Sequence, residues 1–141
     1  MPDPEKVATV VSEWVAKAEN DLKAAGYILR LGKGCPTDTV CFHGQQVVEK
    51  YLKALLTAKG IAFPKTHNIR KLIGMLPAGA RLDMAEDEQD ELTDYATGAR
   101  YPGWGEISLT DARRVVAIAR RLRRDVRRLL PKEALYRRKL G

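Results

Sequence analysis

The sequence holds two cysteines and two histidines in 141 residues, and neither pair is spaced for chemistry that needs them together. Cys35 and Cys41 stand six positions apart, which is no CxxC unit, and with His43 and His67 they make a poor zinc set. We read both thiols as free and structural, and expect neither a metal nor a cofactor. No apolar run nears the roughly 18 residues of a membrane span. Met1-Pro2-Asp3-Pro4-Glu5 lacks the basic-then-apolar pattern of a signal peptide, so the expected location is cytoplasmic, away from any membrane. Also missing are a P-loop, a paired-glycine dinucleotide fingerprint, a supported Ser/His/Asp set, strand-like alternation, repeats and low-complexity tracts.

What is present is helical periodicity, cut by proline and glycine into five stretches. From about Pro4 to Leu31, the residues Val7, Val10, Val11, Trp14, Val15, Ala18, Leu22, Ala25, Ile28 and Leu29 fall within an arc of about 140° at 100° per residue. Gly32 to Pro36 ends that run, and Thr37 or Asp38 can cap a second helix to about Lys59, with Val40, Cys41, Val47, Val48, Tyr51, Leu52, Leu55 and Leu56 inward. A short third helix is expected from about Asn68 to Leu76 and a fourth from about Met84 to Thr97. Thr110 opens a last one that runs to about Leu130, where Pro131 stops it. The expected architecture is all-α, an up-and-down antiparallel bundle of about five helices. We set the domain at 1–131 and treat 132–141 as a basic C-terminal tail.

Charge is divided unevenly. Residues 110–141 hold 12 Lys/Arg against 3 Asp/Glu, which accounts for the whole net charge of +7, while Asp83 to Asp94 carries seven acids and no base. Such polarity favours electrostatic steering or self-association. On the last helix Arg113, Arg114, Arg120, Arg121, Arg123, Arg124, Arg127 and Arg128 occupy about half of the helical circle. Guanidinium groups bind phosphate bidentately, so Arg113, Arg120, Arg124 and Arg127 are candidate polyanion contacts; pairing with the acidic fourth helix and simple solvation are the alternatives. Two polar residues break the apolar arcs. Asp21 needs a cationic partner if it is desolvated, and Gln45 needs hydrogen bonds. Conversely, Phe42 falls on the polar side of the second helix, beside Gln46, Glu49 and Lys53, as a candidate contact with another chain.

The stretches Ala18-Glu19-Asn20-Asp21-Leu22, Gln45-Gln46-Val47-Val48-Glu49-Lys50-Tyr51-Leu52-Lys53-Ala54-Leu55-Leu56, Lys65-Thr66-His67-Asn68 and Ala99-Arg100-Tyr101-Pro102 follow one another in an order and spacing that resembles the HEPN family over about 100 residues. The resemblance implies a helical bundle, often a homodimer, associated with nucleotides, nucleic acids or a partner nucleotidyltransferase. It further implies that many members are ribonuclease toxins using an Arg and a His four to six residues apart near the start of the last helix. Here no histidine follows His67, so Arg100 and Arg113 have no imidazole at that spacing and the usual proton-transfer group is missing. The expected role is therefore binding: an accessory subunit of a minimal nucleotidyltransferase, in a toxin-antitoxin-like pair. Gln46, Glu49, Lys50, Lys53, His67, Arg100 and Tyr101 would face the ligand or partner, and Asp21 would pair with Arg100. A ribonuclease with a displaced active site and a dimeric scaffold without a small ligand are the alternatives.

Overall fold

The computed structural model describes residues 3–135, apart from the side chain of Arg100. Those residues are all-α, without strands: α1 (Pro4–Leu29), α2 (Thr37–Ala58), α3 (Ile69–Gly74), α4 (Glu86–Ala96), a 3-10 turn (Gly98–Arg100), α5 (Leu109–Leu129) and α6 (Lys132–Leu135). Contacts between elements fix the directions. Asp21 meets Lys50 and Lys53 lies over Trp14, so α1 and α2 are antiparallel. Arg114 meets Glu91 and Arg121 meets Glu88, which makes α4 and α5 antiparallel. Gly44 approaches Val115 and Tyr51 meets Arg127, so α2 and α5 run the same way. The long helices alternate up and down, with α2 central among α1, α3, α4 and α5.

The ends of the helices follow local chemistry. Asp3 caps α1 by accepting the Glu5 N–H at 3.0 Å, with Pro4 at the first position, where its missing N–H costs nothing. Asn68 caps α3 through the Lys71 N–H. Neither Thr37 nor Asp38 caps α2. Pro36 occupies that position, and the Thr37 hydroxyl donates instead to the Ile107 carbonyl at 2.7 Å, tying the α1–α2 connection to the loop before α5. Ser108, not Thr110, caps α5 by accepting the Asp111 N–H at 3.0 Å, so the helix begins at Leu109. Residues 132–135, at the head of the expected tail, form α6. Ala134 is buried against the bundle and its carbonyl accepts the Ser12 hydroxyl at 2.6 Å. The rest of that tail, 136–141, lies outside the described residues.

Burial of α2 goes well beyond the apolar stripe expected of it. Residues 51 to 56 are buried without interruption, and Glu49 and Lys53, which a helical projection puts on the polar side, are 4% and 7% exposed. The reason is position: neighbours stand on several sides of α2, so an amphipathic helix still has its polar side covered. Gly44 marks the tightest contact. A Cβ there would stand 2.7 Å from Val115 Cγ1 on α5, closer than carbon atoms approach. We expect Gly44→Ala to destabilise the fold by about 1 to 3 kcal/mol through overpacking, and Val115→Ala to restore part of that loss in the double variant. Urea denaturation of the four proteins checks it, and additive losses would contradict it.

Candidate functional site

One face of α2 carries His43, Gln46 and Lys50, and α1 sets Asp21 against it. The Asp21 carboxylate takes Lys50 Nζ at 2.5 Å on one oxygen and His43 Nδ1 at 2.8 Å on the other. Asp21 is 9% exposed, so these two contacts answer its need for a cationic partner. The expected partner, Arg100, sits in the 3-10 turn, and its side chain lies outside what is described. His43 also lies 5.8 Å from the Phe42 ring, which is half-buried rather than presented as an open apolar contact.

A second cluster adjoins the first through Gln46, whose amide donates to Gln45 Oε1 at 2.6 Å. Gln45 is fully buried and donates to Glu49 at 3.0 Å and to the His67 carbonyl at 3.2 Å. Glu49 further takes Lys53 Nζ at 3.0 Å and His67 Nδ1 at 2.7 Å. Burial pushes the Glu49 carboxyl up, yet the hydrogen bonds from Gln45, His67 and Lys53 outweigh it and hold the group below its ordinary 4.5. An ionised carboxylate only accepts, so Nδ1 of His67 carries its proton and Nε2 is left for another partner; the His43–Asp21 contact has the same form. The His67 side chain is 61% exposed. Lys53 also lies 5.6 Å from the Trp14 ring centre and 5.9 Å from that of Phe63. Among the described residues no buried side-chain nitrogen or oxygen lacks a partner.

The arginines of α5 divide into two sets. Arg114 pairs with Glu91, Arg121 with Glu88, Arg123 with Glu19, Arg127 with the Tyr51 hydroxyl and more distantly Glu19, and Arg128 with Asp125. Burial raises the Glu19 carboxyl, but Arg123, with the Tyr51 hydroxyl and Arg127, more than offsets this and keeps it below its ordinary range. The hydrogen bond and charge of Glu91 hold Arg114 firmly cationic. For Arg113, Arg120 and Arg124 no carboxylate stands within 4 Å among the described residues. Arg120 and Arg124, both exposed, line a groove of about 490 Å³ between α1 and α5, opposite Lys23, Tyr27 and Arg30.

The expected site residues thus fall in separate places. Gln46, Glu49, Lys50, Lys53 and His67 belong to the α1–α2 network, with Glu49 and Lys53 largely inside it. Tyr101 is 65% exposed beside a loop cavity that Lys33, Asp38 and Glu106 also line. Arg120 and Arg124 meet in the groove; Arg113 is exposed elsewhere, and Arg127 is engaged by Tyr51. The sequence reading missed His43 as a partner of Asp21, and missed the groove. Spacing carried both signals, since His43 and Lys50 stand seven apart, and Lys23, Tyr27 and Arg30 at i, i+4 and i+7 share one helix face. Cys35 and Cys41 are free and buried, and burial, with Glu91 and Asp111 nearby, pushes the Cys41 thiol up to about 12, which leaves it unreactive at neutral pH. No cluster of three or more His, Cys, Asp or Glu among the described residues is placed to hold a metal ion, and no described helix is long and apolar enough to cross a membrane.

Glu49 gives a direct test of the network. Its carboxyl is lower in the fold than in the unfolded chain, so its stabilisation is complete above pH 4.5 and is lost as pH falls through the folded value. Glu49→Gln, which leaves Lys53 buried and unpaired, is expected to cost about 3 to 5 kcal/mol at pH 7. It should also flatten the decline of stability below pH 4.5 expected of the unsubstituted protein. Urea unfolding across that range reads both; an unchanged acid slope would remove Glu49 from the account.

The fold is shared with a solved protein. The crystal structure of TT1696 from Thermus thermophilus matches with a TM-score of 0.69 at 26% identity, over 86% of this chain and 99% of that one. No curated protein sequence matches. The HEPN domain family matches residues 11–129, a span that takes in most of α1 and all of α2 through α5, and the chain therefore belongs to the HEPN domain family.

Proposed function

We propose that this HEPN protein binds nucleotides or nucleic acid and serves as the accessory subunit of a minimal nucleotidyltransferase, acting as a homodimer in the cytoplasm. The observation that carries the binding part is the division of the α5 arginines. Acids of α1 and α4 neutralise Arg114, Arg121 and Arg123, while Arg120 and Arg124 remain unpaired and exposed on the same groove as Lys23 and Arg30. Four such cations can replace counterions along a phosphate backbone. The nucleotidyltransferase partner and the dimer rest on the family alone.

A second reading has its own support. His43 and His67 each set Nδ1 on a carboxylate, the orientation that prepares an imidazole to move a proton at Nε2, as a displaced ribonuclease site would require.

Fluorescence anisotropy with RNA should show affinity falling with salt at a slope of roughly −0.7 to −0.9 per phosphate, about −3 for four cations. Arg120→Glu with Arg124→Glu should bring the slope to about half, without the loss of stability that touching paired Arg127 would bring. The RNA should stay intact in metal-free buffer. Salt-independent binding would end the binding reading, and cleavage abolished by His43→Ala or His67→Ala would establish the ribonuclease in its place. Sedimentation at micromolar concentration should give about 32 kDa, twice the 15.8 kDa chain; a persistent monomer at low salt contradicts the dimer.

A further inference from the structure

The α1–α5 groove contains more than charge. Tyr27 is 63% exposed, and the Arg30 guanidinium lies over its ring, 5.0 Å from the centre. Arg30 has no carboxylate within 4 Å among the described residues, so this stacked pair is a cationic aromatic surface and not the edge of a salt bridge. Across the groove the Arg120 guanidinium rests against α1 at Gly26, where a Cβ would stand 3.6 Å from its Nη2. Arg123, on the same wall, is held by both oxygens of Glu19 at 2.9 and 3.0 Å through Nε, which fixes the rim without using up Arg120 or Arg124. At about 490 Å³ the groove lies within the range of about 300 to 1,000 Å³ typical of small-ligand sites.

A flat ring beside unpaired guanidinium and ammonium groups matches the two parts of a nucleotide: a base that stacks and a phosphate that carries charge. A duplex keeps its bases stacked on one another and offers this groove phosphates alone. Inorganic polyanions offer no base. We propose that the groove binds an unpaired nucleoside phosphate, with its phosphate on Arg120, Arg124 and Lys23 and its base on the Tyr27–Arg30 surface. This rests on the polyanion-binding reading above and makes it specific.

The unit can come from a free nucleotide or from a single strand, and both share this chemistry. The test uses anisotropy of a labelled oligouridylate of about ten residues, competed by uridine monophosphate, by duplex RNA of the same length and by inorganic polyphosphate. Tyr27 is exposed, so its variants should fold. Tyr27→Leu is expected to weaken single-strand binding roughly tenfold, the scale of losing one base–aromatic stack, and to leave polyphosphate binding unchanged. Tyr27→Phe should bind as the parent does. Competition by the monophosphate that Tyr27→Leu abolishes supports a free nucleotide as ligand; failure of the monophosphate to compete, with the single-strand effect intact, supports a strand. Equal affinity of parent and Tyr27→Leu for the oligouridylate, with salt-dependent binding retained, overturns this inference and leaves the broader reading standing. Absence of binding to every polyanion overturns both.

Discussion

A helix covered on several sides cannot leave its polar residues to water. In this protein α2 is that helix, and the constraint reaches most of the signature residues: Gln45, Glu49 and Lys53 are buried, and each finds its partner within the same few residues. An ion pair at the surface contributes about 0 to 1 kcal/mol, whereas breaking a buried one strands a charge at a cost of about 3 to 5. The Glu49 cluster therefore matters less as a gain in stability than as a requirement on register, because any slip of α1 or of the 61–68 connection against α2 would separate Asp21 from Lys50 or His67 from Glu49. Both histidines are drawn into this arrangement. The same carboxylates that stabilise the bundle orient the imidazoles, so structural and functional readings of these residues share one geometry.

Electrostatics on α5 follows from the neighbours it meets. Where α4 faces it, Glu88 in the first turn of α4 suits that helix's dipole and meets Arg121, and Glu91 farther along meets Arg114. Where α1 faces it, Glu19 takes Arg123, and over the next three turns, to just past the end of α1, the chain supplies Lys23, Tyr27 and Arg30 instead of acids. Among the described residues of α5, pairing cancels much of the charge and leaves Arg120 and Arg124 unpaired beside Lys23 and Arg30 in one groove. A count of arginines along the sequence overstates the unpaired cationic surface of α5, and a count after pairing locates it.

The helices and their approximate limits were legible because period and punctuation are local properties. Asn68 and Pro131 act where they stand. The start of α2 and the start of α5 were less so: Thr37 is diverted by Ile107, seventy positions away, and Ser108 was one of several adjacent residues able to cap. The depth of α2 was hidden for a different reason. A helical wheel shows which side of one helix is apolar and cannot show that Glu49 and Lys53 will be covered by other elements. Spacing did hold two contacts of Asp21, since His43 and Lys50 share a face, but finding them required knowing that α1 and α2 form a hairpin at that register. The pairing of Arg114, Arg121 and Arg123 depends wholly on tertiary placement.

Under the proposed function, the arginines of α5 do two separate jobs, one set pairing within the bundle and the other meeting phosphate. The most direct test is a scan that replaces Arg114, Arg120, Arg121, Arg123, Arg124 and Arg127 one at a time by Gln, with stability and single-stranded RNA affinity measured on each variant. Two sets that do not overlap are expected: Arg114, Arg121, Arg123 and Arg127 lose stability and keep affinity, while Arg120 and Arg124 lose affinity and keep stability. A scan in which every variant loses affinity to a similar degree, or in which Arg120→Gln and Arg124→Gln unfold as readily as Arg123→Gln, would contradict it.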